Sequence, residues 1–186
     1  MQFYTNYLMI ISPSDFIKKE VSRYKRASAN VIGQFDGMYS IAHITVMHQT
    51  RCKPFLVQPA IARMRERFCS LPPVELHISG FNYFSHGSTT KTIYAVIERT
   101  QQTNNWFNLL MKQMNIKSKN FVPHITIVKN IPVDDFNKLW PYFENRVFKA
   151  SFKAESLTIL HRETYSEYVQ WRVYRELFFG DRLLAF

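Results

Sequence analysis

His43-Ile44-Thr45-Val46 and His124-Ile125-Thr126-Ile127 are one pattern written twice: an imidazole, an isoleucine, a threonine and an aliphatic residue. β-Branched residues favour strands. On a strand, side chains at i and i+2 share a face while the residue between them points the other way. Each motif therefore sets an imidazole beside a hydroxyl on one surface, and turns its isoleucine toward a face that a helix can cover. Finding this twice among six histidines, at matching places in two similar halves, is poorly explained by chance.

The surroundings of the two motifs repeat as well. Upstream of His43, the apolar run Tyr7–Ile11 reads as a buried strand, and Ser12-Pro13-Ser14-Asp15 as a helix start, with a helix to about Arg26. The strand around the motif is expected over Ser40–Met47. A helix follows from about Val57 to Cys69, with Pro59 tolerable only in its first turn, and then a strand from Val74 to Phe84. The second half reads as a strand over Thr92–Glu98, a helix over Thr103–Met114, a strand over Pro123–Val128 and a short helix from Asp134 to Leu139 interrupted near Pro141. Val147–Leu160 and Tyr168–Phe179 read as two strands of a hairpin around Thr164-Tyr165-Ser166. Leu8 to His43 spans 35 positions and Ile93 to His124 spans 31; His43 to Glu75 spans 32 and His124 to Glu155 spans 31. This implies an internally duplicated α+β domain over 1–186, with pseudo-repeat lobes of roughly 1–86 and 91–186. It is bilobal, with two antiparallel sheets facing a central cleft and helices on the outside.

Composition narrows the class. At 186 residues the chain is one domain's worth, and 46% hydrophobic residues exclude a disordered chain. Two cysteines, Cys52 and Cys69, exclude a disulfide-stapled module. The opening residues show no basic leader, and the run Tyr7–Ile11 is far too short to span a bilayer, so a cytoplasmic protein with free thiols and no membrane partner is expected. Lys and Arg outnumber Asp and Glu by 24 to 14, a formal +10, which attracts phosphate-bearing partners. Part of the excess lies in Lys18-Lys19…Arg23…Lys25-Arg26 and Arg63…Arg65…Arg67, both expected as solvated helix faces.

Two imidazoles with ordinary pKa values of about 6.5 can serve as general base and general acid at one pH. Two threonine hydroxyls can donate to non-bridging phosphoryl oxygens. The set suits displacement at a phosphodiester without metal. Zinc would lack ligands here, since there is no His-Glu-x-x-His and no cysteine cluster; no cofactor is expected. The absence of a glycine-rich phosphate loop argues against use of a nucleoside triphosphate.

With the second motif introduced by Phe121-Val122-Pro123, the chain resembles the two-histidine phosphoesterase superfamily, which includes 2′-5′ RNA ligases and 2′,3′-cyclic nucleotide phosphodiesterases. The resemblance runs from Tyr7 through the closing strands. It implies a bilobal α+β fold, His43 and His124 as catalytic residues, and Thr45 and Thr126 as phosphate ligands. The implied partners are RNA ends or small nucleotides carrying 2′ or cyclic phosphates. Members often carry Arg five residues after the second histidine; this chain has Lys129 there, a candidate substrate contact, and His48 after the first motif. Period-2 counting puts Lys129 and His48 on the face opposite the His-Thr pairs unless the strands end or bulge first. Tyr39, Tyr83, Phe84 and Phe121 are candidates to stack a base. His86 is expected at a surface turn, and His77 and His161 as structural residues. The expected function is a metal-independent phosphoesterase, with 2′-5′ RNA ligation and a non-catalytic basic RNA-binding module as alternatives.

Overall fold

The computed structural model describes residues 4–117, 120–165 and 170–180. The first apolar run forms β1 (Thr5–Ile11), and the start signal after it opens α1 (Asp15–Ile32). Ile17, Val21, Tyr24 and Ser28 recur at helical spacing and form the buried stripe of α1. The helix passes the expected end at Arg26, because Ala27–Ile32 contains no breaker, and stops at Gly33. That residue adopts φ 80° and donates its N–H to the Ala29 carbonyl.

β2 (Ile44–Cys52) and α2 (Pro54–Phe68) follow. Pro54 supplies a better first-turn proline than Pro59, so the helix begins three residues earlier than expected and Pro59 falls inside it. The chain continues through β3 (Val74–His86), β4 (Thr90–Ile97) and α3 (Gln101–Gln113), whose cap is the Thr100 hydroxyl accepting from the Thr103 N–H at 3.1 Å. Then come β5 (His124–Pro132), α4 (Val133–Leu139) with a 3₁₀ turn at Trp140–Tyr142, β6 (Lys149–Ala154), β7 (Ser156–Glu163) and β8 (Arg172–Phe178). Ser166 and Tyr168, expected in the closing hairpin, lie outside the described residues.

The fold is α+β, with every strand pair antiparallel in the order β6-β3-β4-β5-β2-β1-β7-β8. Where two sheets were expected, the strands form one eight-stranded sheet, and its centre is narrow. β5 and β2 meet through the pair Ile44↔Ile125. Both residues lie at the N-terminal end of their strands, so the antiparallel strand bodies run away from the junction in opposite directions. The halves do not follow chain order: β3–β6, from the middle of the chain, make one half, and β1, β2, β7 and β8, from its two ends, make the other.

Val147–Leu160, read as one strand, is two. β6 pairs with β3 at one edge of the sheet, whereas β7 pairs with β1 on the far side of the junction, so the chain must break between them at Glu155. Local pattern carries no information about that switch of partner. On the covered face, Ile44, Ile125, Ile11 and Leu76 are buried together with Ile17, Ile61, Leu110 and Phe136 from the four helices. Each such side chain contributes about 1.5–3 kcal/mol relative to exposure. Among the described residues no helix is long and apolar enough to cross a membrane.

Candidate active site

Two β-bulges decide which side chains accompany the histidines. Along β1 and β2, Ile11 faces Ile44 and Ile10 faces Thr45, but Met9 faces Met47 and Leu8 faces His48, so β2 holds one extra residue at Val46. Facing residues share a side of the sheet. Thr45 and His48 therefore lie on one side with Ile10 and Leu8, while Ile44, Met47 and Gln49 lie on the other with Ile11, Met9 and Tyr7. The bulge resets the alternation and returns His48 to the face of His43 and Thr45.

β5 does the same. Val96 faces His124 and Tyr94 faces Thr126, but Ile93 faces Val128 and Lys91 faces Ile131. Ile127 and Val128 are both buried, so Lys129 comes back to the side of His124 and Thr126. Asn130 completes the irregularity: it adopts φ 51°, and its N–H donates to the Thr92 hydroxyl at 3.1 Å. The simple alternation that put Lys129 and His48 on the opposite face fails at these two extra residues.

Each histidine is oriented by the same bond. The Nδ1–H of His43 donates to the Ile41 carbonyl at 2.8 Å, and that of His124 to the Val122 carbonyl at 2.7 Å. A carbonyl can only accept, so both rings carry the proton on Nδ1 and leave Nε2 free to take one up. Burial pushes both imidazoles below the ordinary histidine pKa, and the backbone bonds act against that shift. His43 is lowered further by the charges of Lys25, His124 and Lys129. Continuing the register from Ile44↔Ile125 sets His43 opposite Thr126 and Thr45 opposite His124.

Aromatic rings flank the set on both sides. Phe84 stacks on Tyr94 at 4.2 Å, and their rings lie 5.0 and 5.1 Å from that of His124. On the other side Trp171 lies 5.8 Å from His48, with the Arg162 guanidinium 4.6 Å from its centroid. Burial and the charges of Arg162 and Lys129 push the His48 imidazole below its ordinary pKa. Of the expected stacking residues, Phe84 is at the site. Tyr83 turns to the opposite side against Phe136 and Trp140, and Phe121 packs on Phe107. Tyr39 is 80% exposed in the loop before His43. His86 is exposed at the end of β3, as expected, and contacts the Thr92 hydroxyl at 2.9 Å, while His161 packs beside Tyr7 and Tyr174.

Lys25 was expected on a solvated helix face; it is buried instead. Its ammonium donates to the Gly37 carbonyl, the Ser40 carbonyl and the Ser40 hydroxyl, each at 2.8 Å, and burial lowers its pKa to about 8. The loop leading into His43 folds back over α1 and supplies those acceptors, a contact that helix periodicity could not reveal. Tyr94, Trp171 and Arg162 also escaped the sequence reading, because their positions depend on strand register. Among the described residues no three His, Cys, Asp or Glu side chains converge as a metal site.

The sequence model of the 2′-5′ RNA ligase superfamily matches residues 38–166, well over half of the chain. A comparison with curated proteins gives no match. Among solved structures, TT0787 of Thermus thermophilus is 14% identical with a TM-score of 0.65, covering 94% of this chain and 98% of that one. E. coli LigT, solved with NADP+, is 11% identical with a TM-score of 0.61, covering 95% and 99%. Kluyveromyces marxianus Usb1 is 8% identical with a TM-score of 0.51, again covering 95% and 99%. These likenesses establish the common fold. With the family match across both His-Ile-Thr strands, the chain belongs to the 2′-5′ RNA ligase superfamily, and so to the two-histidine phosphoesterases.

Proposed function

We propose that this protein is a metal-independent phosphoesterase that opens a 2′,3′-cyclic phosphate, or cleaves a 2′-linked phosphodiester, at RNA ends or on small nucleotides. The observation that carries this reading is the matched pair of Nδ1 bonds, which leaves two Nε2 atoms available beside two threonines on one face. One Nε2 takes a proton from the attacking water or ribose hydroxyl. The other, protonated, delivers its proton to the leaving oxygen as the phosphorus–oxygen bond breaks. Thr45 and Thr126 donate to the non-bridging oxygens, and Lys129 balances their charge. Exchange of the two histidine roles runs the reaction backward, which makes 2′-5′ ligation the reverse activity of the same site. Superfamily kinship supports an enzyme of this kind, and LigT has been solved with 3′-AMP and with ATP. We place the protein in the cytoplasm, where the free thiols of Cys52 and Cys69 stay reduced.

The test is incubation with a panel of cyclic and 2′-linked nucleotides in EDTA, with products identified by mass and regiochemistry. Turnover that survives chelation is expected. Turnover lost on chelation and restored by zinc or manganese overturns the metal-free mechanism. Binding without turnover of any substrate in the panel makes the protein an RNA-binding module.

A further inference from the structure

The loop that precedes His43 forms one wall of a groove of about 420 Å³ that the proposed chemistry does not use. Its other wall is α1, contributing Lys18, Lys19 and Arg26, and no acidic side chain lines it. Asp15 reaches Lys18 at 3.0 Å from outside the groove, leaving Lys19 and Arg26 exposed. Tyr39 and Ile41 stand on the loop side, 80% and 72% exposed. Ile41 and Ala42 also bring the groove directly to His43, since the Ile41 carbonyl holds that ring.

We propose that this groove binds the polynucleotide chain of an RNA substrate beyond the reacting phosphate, with Tyr39 as a base-stacking platform and Lys18, Lys19 and Arg26 as phosphate contacts. The proposal rests on the phosphoesterase reading and deepens it by assigning an RNA end, rather than a mononucleotide, as the preferred substrate. Cations facing an exposed aromatic are what binding single strands without base preference requires. The loop is shaped in advance: Lys25 ties Gly37 and Ser40 from beneath, and the Ser40 hydroxyl donates to the Gly37 carbonyl at 2.7 Å. Gly37 takes φ 78°, which suits glycine at this turn. The turn therefore presents Tyr39 to water from a backbone pinned on both sides of it, at Gly37 and Ser40. The ammonium of Lys25 adds a positive charge under the same loop.

The experiment compares a 2′,3′-cyclic mononucleotide with a ten-residue oligoribonucleotide ending in the same cyclic nucleotide. Wild type is expected to show a kcat/KM about tenfold or more higher for the oligonucleotide, an advantage that shrinks as salt rises. The triple variant Lys18→Ala, Lys19→Ala, Arg26→Ala should lose that advantage and keep the mononucleotide rate. Its log-log salt slope for oligonucleotide binding should be shallower by about 2, at about 0.7 per cation on a single strand. Tyr39→Ala should lower oligonucleotide kcat/KM severalfold with the salt slope unchanged. Equal kcat/KM for the two substrates in wild type overturns the groove while leaving the phosphoesterase intact. If neither substrate turns over, the phosphoesterase reading falls, and fluorescence anisotropy of the labelled oligonucleotide judges the groove alone. Equal affinity of wild type and triple variant then overturns it, and weaker, less salt-sensitive binding by the variant supports it.

Discussion

Ile44 pairs with Ile125 where the two halves of the sheet meet, and this one antiparallel step sets each histidine opposite the threonine of the other motif. The two isoleucines are fully buried, so the junction is anchored from the helix side while its open side carries the polar groups. The duplicated motif thus becomes a single composite site rather than two separate ones.

His43→Ala and His124→Ala should each lower the single-turnover rate on a cyclic-phosphate substrate by about 10²–10⁴, the usual worth of a general acid or base. The double variant should lose less than the sum, since each proton transfer assists the same step. Thr45→Val and Thr126→Val keep the β-branched shape, delete the hydroxyl and should lower kcat with unchanged circular dichroism. A histidine variant with wild-type turnover would remove that residue from the mechanism.

Both imidazoles lie below the ordinary pKa of about 6.5, chiefly through burial. The state with one ring protonated and one neutral is most populated in the free enzyme on the acid side of that value. The kcat/KM profile should therefore be bell-shaped with its maximum below about pH 6.5, reporting the pair's macroscopic constants. Stability follows the same shifts. As pH falls through about 6.5 the unfolded chain takes up protons before the folded one, so stability is full above that pH and declines below it toward the folded-state values. Thermal melts from pH 8 to 5 should show the decline, and it should be smaller in His43→Gln. Melting temperatures that rise over that range would contradict the assignment.

Lys129 sits on the site face but is exposed, and a flexible ammonium attracts ground state and transition state alike. Lys129→Ala should raise KM in a salt-sensitive way more than it lowers kcat. A kcat loss as large as that of a histidine variant would place Lys129 among the groups that act only in the transition state.

Lys25 ties the loop that carries the Ile41 carbonyl, and its charge lowers the His43 pKa, so the proposed mechanism makes it a positioning residue. Lys25→Met should lower kcat and also raise the His43 pKa, read by imidazole NMR titration, with His124 much less affected. The groups acting on His43 include Lys129 and His124, so the shift should be partial. An unmoved His43 titration would leave Lys25 a purely structural role.

The sequence by itself determined the chemistry-bearing core of this protein. The His-Ile-Thr strands, their period-2 placement of imidazole beside hydroxyl, and the helices that bury Ile44 and Ile125 follow from local periodicity, which needs only neighbouring residues. Tertiary structure decided the rest. Val46 and Ile127 look like ordinary strand positions, yet each is the extra residue of a bulge, and a bulge exists only relative to a partner strand. That is why Lys129 and His48 counted to one face and stand on the other. Likewise Val147–Leu160 is one uninterrupted pattern that becomes two strands, because its ends pair with β3 and β1 on opposite sides of the junction. Trp171 reaches His48, and Lys25 the loop before His43, across separations in sequence that side-chain periodicity does not encode.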